Sequence, residues 1–384
     1  MEQDNTGGEK APSPGYTPYL CMTGASVLFA WVEAGVKPIS KSFSAGPMLL
    51  VRAIFAFVLF TLFIVLCKAL RGKSPVELDA LRKLTSKVWM RGLVVSGCAA
   101  FLTLALAYCE TQTFTYALFL VHPLVTLALT KLFTGEHPDY RSQIGPMAIT
   151  IAAGAGYTVL TSDDNSQTSV FFSIISPLVA GILFSLGNLM AKDISDNDHI
   201  DSWALAYQST LTGLVFSPFV TVVVCVFTAR NAGMQWTGDL WSDCHIVLDL
   251  GAHVDFADLT AVAILFGTSI LAAIANPLVT KAFADASPKQ LPIVSILDLS
   301  VLVFAAGIGL IFGNISFFDD EHPLFSWSGC MLIAIFAGAC LSIYRASKAK
   351  GALARTDERI FYRMCCLIAF GVLLVGYSGL AYAG

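Results

Sequence analysis

PMLLVRAIFAFVLFTLFIVLC, residues 47–67, carries a single charge, Arg52, and shows no alternation of apolar with polar positions. A helix of this length crosses the roughly 30 Å hydrocarbon core of a bilayer. A barrel strand would alternate instead. Ten further apolar runs lie on either side of it: 19–37, 89–109, 114–133, 144–161, 171–191, 203–228, 258–283, 290–312, 326–344 and 362–382. The chain therefore reads as an all-α polytopic membrane protein. Composition agrees, since 56% of residues are hydrophobic and only 13% charged, more apolar surface than a soluble core hides.

A formal net charge of -4, with no basic stripe, gives no reason to expect nucleic-acid binding. Nine of the ten cysteines lie in or beside apolar runs, leaving Cys244 alone in a long polar loop, and neither a disulfide framework nor a metal pattern is expected. Residues 1–18 are rich in Pro, Gly and Ser and lack the basic start of a cleavable signal, so they read as a disordered cytoplasmic tail.

Basic residues collect in two gaps on one side of the eleven-span count. Lys68, Arg71, Lys73, Arg82, Lys83, Lys87 and Arg91 lie between the second and third spans, and Arg345, Lys348, Lys350, Arg355, Arg359 and Arg363 between the tenth and eleventh. The other side is acidic or neutral, as at Asp163, Asp164, Asp239, Asp243, Asp319 and Asp320. Positive residues stay in the cytoplasm, which places the N-terminus there and Gly384 outside or in the periplasm. The gap 192–202, with four aspartates against Lys192, falls on the inner side nonetheless, because acidic residues weigh little in orientation.

Ser26–Ser40 (SVLFAWVEAGVKPIS) aligns with Gly181–Ser195 (GILFSLGNLMAKDIS) at an offset of 155, matching Leu28, Phe29, Lys37, Ile39 and Ser40 with Leu183, Phe184, Lys192, Ile194 and Ser195. The repeat unit is then five helices, 19–161 and 171–344. Five is odd, so the second copy enters from the opposite face and the halves are inverted. A basic linker, 345–361, leads to an additional transmembrane helix in 362–384.

Lys37 at the end of the first span, Leu50-Val51-Arg52 opening the second, and Tyr116-Ala117-Leu118, His122-Pro123-Leu124, Phe133 and Gly135-Glu136 together resemble the drug/metabolite transporter superfamily, in its EamA-like arrangement. That resemblance covers about 19–344. It implies a ten-helix core of two inverted five-helix repeats, a substrate path between the halves, and movement of a small organic metabolite. The loop 229–257, Gly313-Asn314 and the eleventh helix depart from the family pattern.

Charges within hydrocarbon are costly unless they pair, face water or reach an interface. Asp298 sits deep in the ninth span, where it either handles a proton on the pathway or is held protonated by packing. Glu33 and Arg52 either pair across the hairpin 38–46 or line an outer mouth that meets a zwitterion. Lys37, Lys192 and Lys281 read as snorkelling to headgroups, with anion binding as the rival for Lys281. His122-Pro123 and Asn276-Pro277 interrupt apolar helices and mark a site near mid-membrane, or shape kinks only. Tyr108, Gln112, Tyr116, Asn188, Tyr207 and Gln208 offer neutral donors around a central cavity.

The expected function is alternating-access secondary transport of a small polar organic metabolite, either proton-coupled or by exchange, in the cell (inner) membrane. The expected substrate or coupling residues are Glu33, Arg52, Tyr116, His122, Asn276 and Asp298. The expected partners are the metabolite, protons, membrane lipids and a second copy in a homodimer. No catalytic motif, metal or cofactor is expected. The alternative is a non-transporting membrane scaffold or receptor that uses the outer 229–257 loop with Trp236, Trp241 and His245.

Overall fold

The computed structural model describes residues 17–72, 84–108, 122–136, 175–231 and 240–298, with isolated positions 74, 76, 119, 148, 152, 300, 301 and 304. Its helices are α1 (Thr17–Ala34), the single turn α2 (Val36–Ile39), α3 (Ala45–Arg71), α4 (Ser86–Tyr108), α5 (His122–Thr134), α6 (Ser176–Asn197), α7 (Ser202–Asn231), α8 (Leu240–Gly251), α9 (Leu259–Asp285) and α10 (Leu291–Asp298). The described protein is all-α, and five of these helices, α3, α4, α6, α7 and α9, are long and apolar enough to cross a membrane. The expected spans 326–344 and 362–382 lie outside the described residues, as do the span 144–161 apart from positions 148 and 152 and the N-terminal tail to residue 16.

The distribution of side chains is that of a protein dissolved in lipid. Ile54, Val58, Leu62 and Leu66 form an exposed stripe at four-residue spacing on α3, and α7 exposes Val215, Phe219 and Val222. The interior meanwhile holds Ser26, His122, Thr126, Ser185, Gln208 and Ser295, all fully buried. A chain folded in water would bury the first set and expose much of the second. The chain is a multi-spanning helical membrane protein.

Packing follows a pattern of exchanged partners. The broadest helix contacts are α1 on α9 and α4 on α6; α3 lies on both α7 and α9, α7 on α4, α5 on α6 and α10, and α1 on α10. Small residues permit the closest approaches. A side chain at Gly92 would collide with Thr212 of α7, and one at Gly187 would meet Val95 of α4, so each glycine sets how near its helix comes.

The segment read from sequence as an open loop, 229–257, contains α8, which packs against α7. Leu240–Gly251 was hidden in the sequence by its four polar residues among apolar ones, which is the mark of a surface helix rather than of a span. The stretch after α8 is tied to the turn before α3. Ser44 N–H donates to the His253 carbonyl at 2.9 Å, Asp255 N–H to the Ser42 carbonyl at 2.8 Å, and Ser44 Oγ to the Gly251 carbonyl at 2.8 Å. Asp258 caps α9 by accepting from Ala261 N–H at 3.0 Å and also takes the Ser42 hydroxyl at 2.6 Å. These bonds to the Ser42 hydroxyl first, and to backbone N–H groups second, hold the Asp258 carboxyl below the usual aspartate range.

On the side expected from sequence to face the cytoplasm, Lys87 at the start of α4 bonds Asp193 of α6 at 2.8 Å. One of the aspartates that disturbed the charge pattern is thereby matched to a basic residue of the preceding inner gap. Lys192, expected to snorkel, is instead buried and donates to Asp196 at 2.7 Å and to the Ala284 carbonyl at 3.3 Å. Lys281 likewise turns to Asp285 at 2.6 Å and Ser202 at 3.3 Å.

Candidate central cavity and its buried polar relay

The helices line a cavity of about 270 Å³. Its wall is largely aliphatic and aromatic, with Phe29, Leu102, Phe119 and Phe184 prominent. Four charged side chains interrupt it: Glu33 from α1, Arg52 from α3, Arg91 from α4 and Asp298 at the end of α10. Asn188 of α6 and Asn276 of α9 add amides. A mostly apolar cavity with a few convergent polar groups is the usual form of a small-molecule site.

Of the residues expected from sequence, Glu33, Arg52, Asn276 and Asp298 stand together on this wall. Arg52 also donates from Nη2 to Thr268 Oγ1 at 3.3 Å, which fixes its guanidinium toward α9. Tyr116 lies outside the described residues, as does Gln112. Tyr207 is elsewhere: its hydroxyl is 3.3 Å from Thr61 and its ring stacks beside Phe57 and Phe60 on α3. Asn276-Pro277 does not break its helix, because α9 runs continuously from Leu259 to Asp285 with the proline inside it. The lost N–H is a local gap that the long, packed helix tolerates.

His122 sits one layer behind the wall. Its ring lies between Phe119 and Phe184, with centroids 4.9 and 5.0 Å away, and it is wholly buried. Its polar contacts run in a closed direction. Ser185 donates to the His122 carbonyl at 2.6 Å, so its oxygen accepts from Thr126 at 3.1 Å. The single Thr126 proton is thus committed, and Ser295, 3.1 Å from it, must donate to Thr126. Ser295 then has only an acceptor to offer His122 Nδ1 at 3.0 Å, so Nδ1 carries hydrogen. Nε2 is left facing Asp298 Oδ2 at 3.4 Å.

Arg91 was counted in sequence among the basic residues of an inner gap, and the structure corrects that reading. It is 2% exposed, inside α4 rather than in a loop. Nε donates to the Gly187 carbonyl at 2.9 Å, and Nη2 to Thr280 Oγ1 at 3.0 Å, whose own hydroxyl donates to the Asn276 carbonyl at 3.0 Å. The bare glycine at 187 brings the α6 backbone close enough to receive the guanidinium. The only sequence signal was position: Arg91 is followed directly by the apolar run of α4, five residues into the helix.

No protein-family profile and no curated protein matches this chain. A solved crystal structure, matched over 100% of its own chain and 87% of this one, shares its fold at a TM-score of 0.55 and 14% sequence identity.

Proposed function

We propose that this protein is a secondary transporter that carries a small polar organic metabolite across its membrane by alternating access. The observation that carries this reading is the cavity itself: four charged side chains converge from four helices in the middle of a bundle whose outside is apolar. Such groups within hydrocarbon depth line substrate or ion paths.

The packing pattern supports two related halves. Exchanging α1 with α6, α3 with α7, α4 with α9 and α5 with α10 turns the α1–α9 contact into the α6–α4 contact, α3–α9 into α7–α4, and α1–α10 into α6–α5. The α3–α7 and α5–α10 contacts map onto themselves. Two inverted repeats would give this exchange of contacts among the described helices, and inverted repeats provide two near-equivalent packings that open to opposite faces. On this reading the four pairs belong to the ten-helix, EamA-like arrangement that we propose for the chain.

The same geometry supports proton coupling as part of this proposal. Asp298 reaches the cavity on one side and His122 on the other, so a proton between Oδ2 and Nε2 is in contact with the substrate space. We place the N-terminus in the cytoplasm and α8 on the outer face, in the cell membrane.

Purified protein in sealed liposomes tests this. Counterflow of a labelled solute, found by screening amino acids, nucleosides, amines and sugar derivatives, is the expected result. Absence of counterflow across the panel, with folding verified, overturns the transport reading in favour of a scaffold or receptor.

A further inference from the structure

We infer that Arg91 and Asn188 form the oxyanion end of the central cavity, and that its ligand is a small organic anion with a carboxylate or phosphate group on an apolar body. The inference rests on the cavity being the ligand space, as proposed above, and adds the chemical class.

The argument is one of donors with nothing to bond. Arg91 Nη1 is buried and has no hydrogen-bond partner among the described residues, although Nε and Nη2 of the same guanidinium are held. Asn188 Nδ2 is buried in the same condition, on the residue next to the Gly187 that receives Arg91. Both side chains line the cavity, at 2% and 4% exposure. The nearby hydroxyls do not change this: Thr280 accepts from Nη2 of the same guanidinium, and neither Ser96 nor Ser209 accepts from Arg91 Nη1 or Asn188 Nδ2. Among the described residues Arg91 makes no ion pair. A buried cation and a buried amide donor without acceptors are expensive to keep. An oxyanion placed against them accepts from both and neutralises the charge, and the fixed guanidinium plane suits the two oxygens of a carboxylate or phosphate. Phe29, Leu102 and Phe184 on the same cavity wall fit an apolar body.

The test is binding, measured by isothermal titration calorimetry on the full-length protein in phosphatidylcholine nanodiscs. The probes are 3-phenylpropanoate and phenyl phosphate, against 3-phenylpropanamide and phenylethylamine. The anions are expected to bind roughly tenfold or more tightly than the amide and the amine, as an ion-assisted hydrogen bond requires. Preference between the two anions tells carboxylate from phosphate. Arg91→Gln is expected to abolish that selectivity and Arg91→Lys to retain part of it. Because Arg91 also ties α4 to α6 and α9, Asn188→Leu provides a variant with an intact tie and is expected to weaken anion binding alone. If the anions fail to bind the folded protein, or if amide and amine bind equally well, the inference is overturned. It is overturned too if Asn188→Leu and Arg91→Lys both leave selectivity unchanged. Adding phosphatidylglycerol to the nanodiscs separates sources: displacement of the bound anion assigns the subsite to a lipid headgroup, and undiminished binding assigns it to a free solute. Anion binding without counterflow in liposomes leaves the subsite standing and removes transport; counterflow of neutral solutes alone does the reverse.

Discussion

His122 Nε2 lies 3.4 Å from Asp298 Oδ2, with the other ring nitrogen fixed as a donor to Ser295. The loop of hydroxyls through Thr126 and Ser185 leaves the imidazole no freedom at Nδ1. One proton between Nε2 and Oδ2 therefore determines whether the pair is two neutral groups or two opposite charges. Asp298 is the member of the pair that faces the cavity, which in the proposed function makes its carboxyl the place where substrate and proton would meet.

Asp298→Asn removes that proton site while keeping size and hydrogen-bonding capacity. The variant is expected to fold and bind substrate but to lose all acceleration by a proton gradient in proteoliposomes. Gradient-driven uptake at the wild-type rate excludes an essential proton role, and a collapse in folding assigns Asp298 to structure.

Asn276 and His122 should separate in their effects, since one lines the cavity and the other stands behind Phe119 and Phe184. Asn276→Ala is expected to weaken substrate affinity by about tenfold, the loss of about 1.4 kcal/mol that a single good hydrogen bond supports. His122→Ala is expected to lower thermal stability, because Ser295 and Asp298 lose a buried partner, at about 1–3 kcal/mol. Equal affinity losses in both would bring His122 into direct contact with substrate and contradict the layered arrangement.

The spans were legible because hydrocarbon imposes length and continuity on every crossing helix; residues 47–67 and 203–228 reappear within α3 and α7 with only their ends extended. The buried carboxylates Glu33 and Asp298 were legible for the same reason, since a charge within an apolar run stands out. Arg91 was not, because a basic residue near a span end looks the same whether it turns to headgroups or to a glycine carbonyl across the bundle. Lys192 misled similarly: besides Asp196 one turn on in its own helix, it meets the Ala284 carbonyl, 92 positions away in sequence. The hydroxyl relay was invisible, because Thr126, Ser185 and Ser295 are ordinary helix residues until three helices bring them together. Asn276-Pro277 failed as a sign of a break because α9 stays helical through the proline.

Orientation has a direct test in the native thiol Cys244, which is exposed on α8. In an otherwise cysteine-free protein, an impermeant maleimide added to intact cells is expected to label Cys244. A cysteine replacing His199, in the turn between α6 and α7, is expected to label only after permeabilisation. Labelling of both from outside contradicts the assignment of the two turns to opposite faces.

The Gly251 contact gives a stability prediction of a different kind. A Cβ there would run into the backbone carbonyl of Cys225 on α7, which no side-chain rearrangement relieves. Gly251→Ala should push α8 off α7 and weaken the bond from Ser44 to the Gly251 carbonyl. The expected cost is about 1–3 kcal/mol, read as a lower melting temperature in detergent. An unchanged melting temperature would mean that α8 contributes nothing to the stability of the bundle.

Asp258 offers a pH test outside the membrane helices. Its carboxyl is held below the ordinary range by the Ser42 hydroxyl first and by the Ala261 N–H second. A group depressed in the folded state stabilises fully above its unfolded value, about 4 for aspartate, and that stabilisation is lost as pH falls through the folded value. Asp258→Asn removes the ionisation while keeping a capping oxygen. The wild type should therefore melt above the variant at pH 7, and the gap should shrink steadily as pH falls below about 4. Ser42→Ala should narrow the same gap at pH 7, because the hydroxyl that holds the carboxylate ionised is gone. Melting curves followed by tryptophan fluorescence for the wild type, the two single variants and the double variant decide it: a gap that is the same at pH 3.5 and 7 would show that the charged form of Asp258 does not hold α9 to the turn at Ser42.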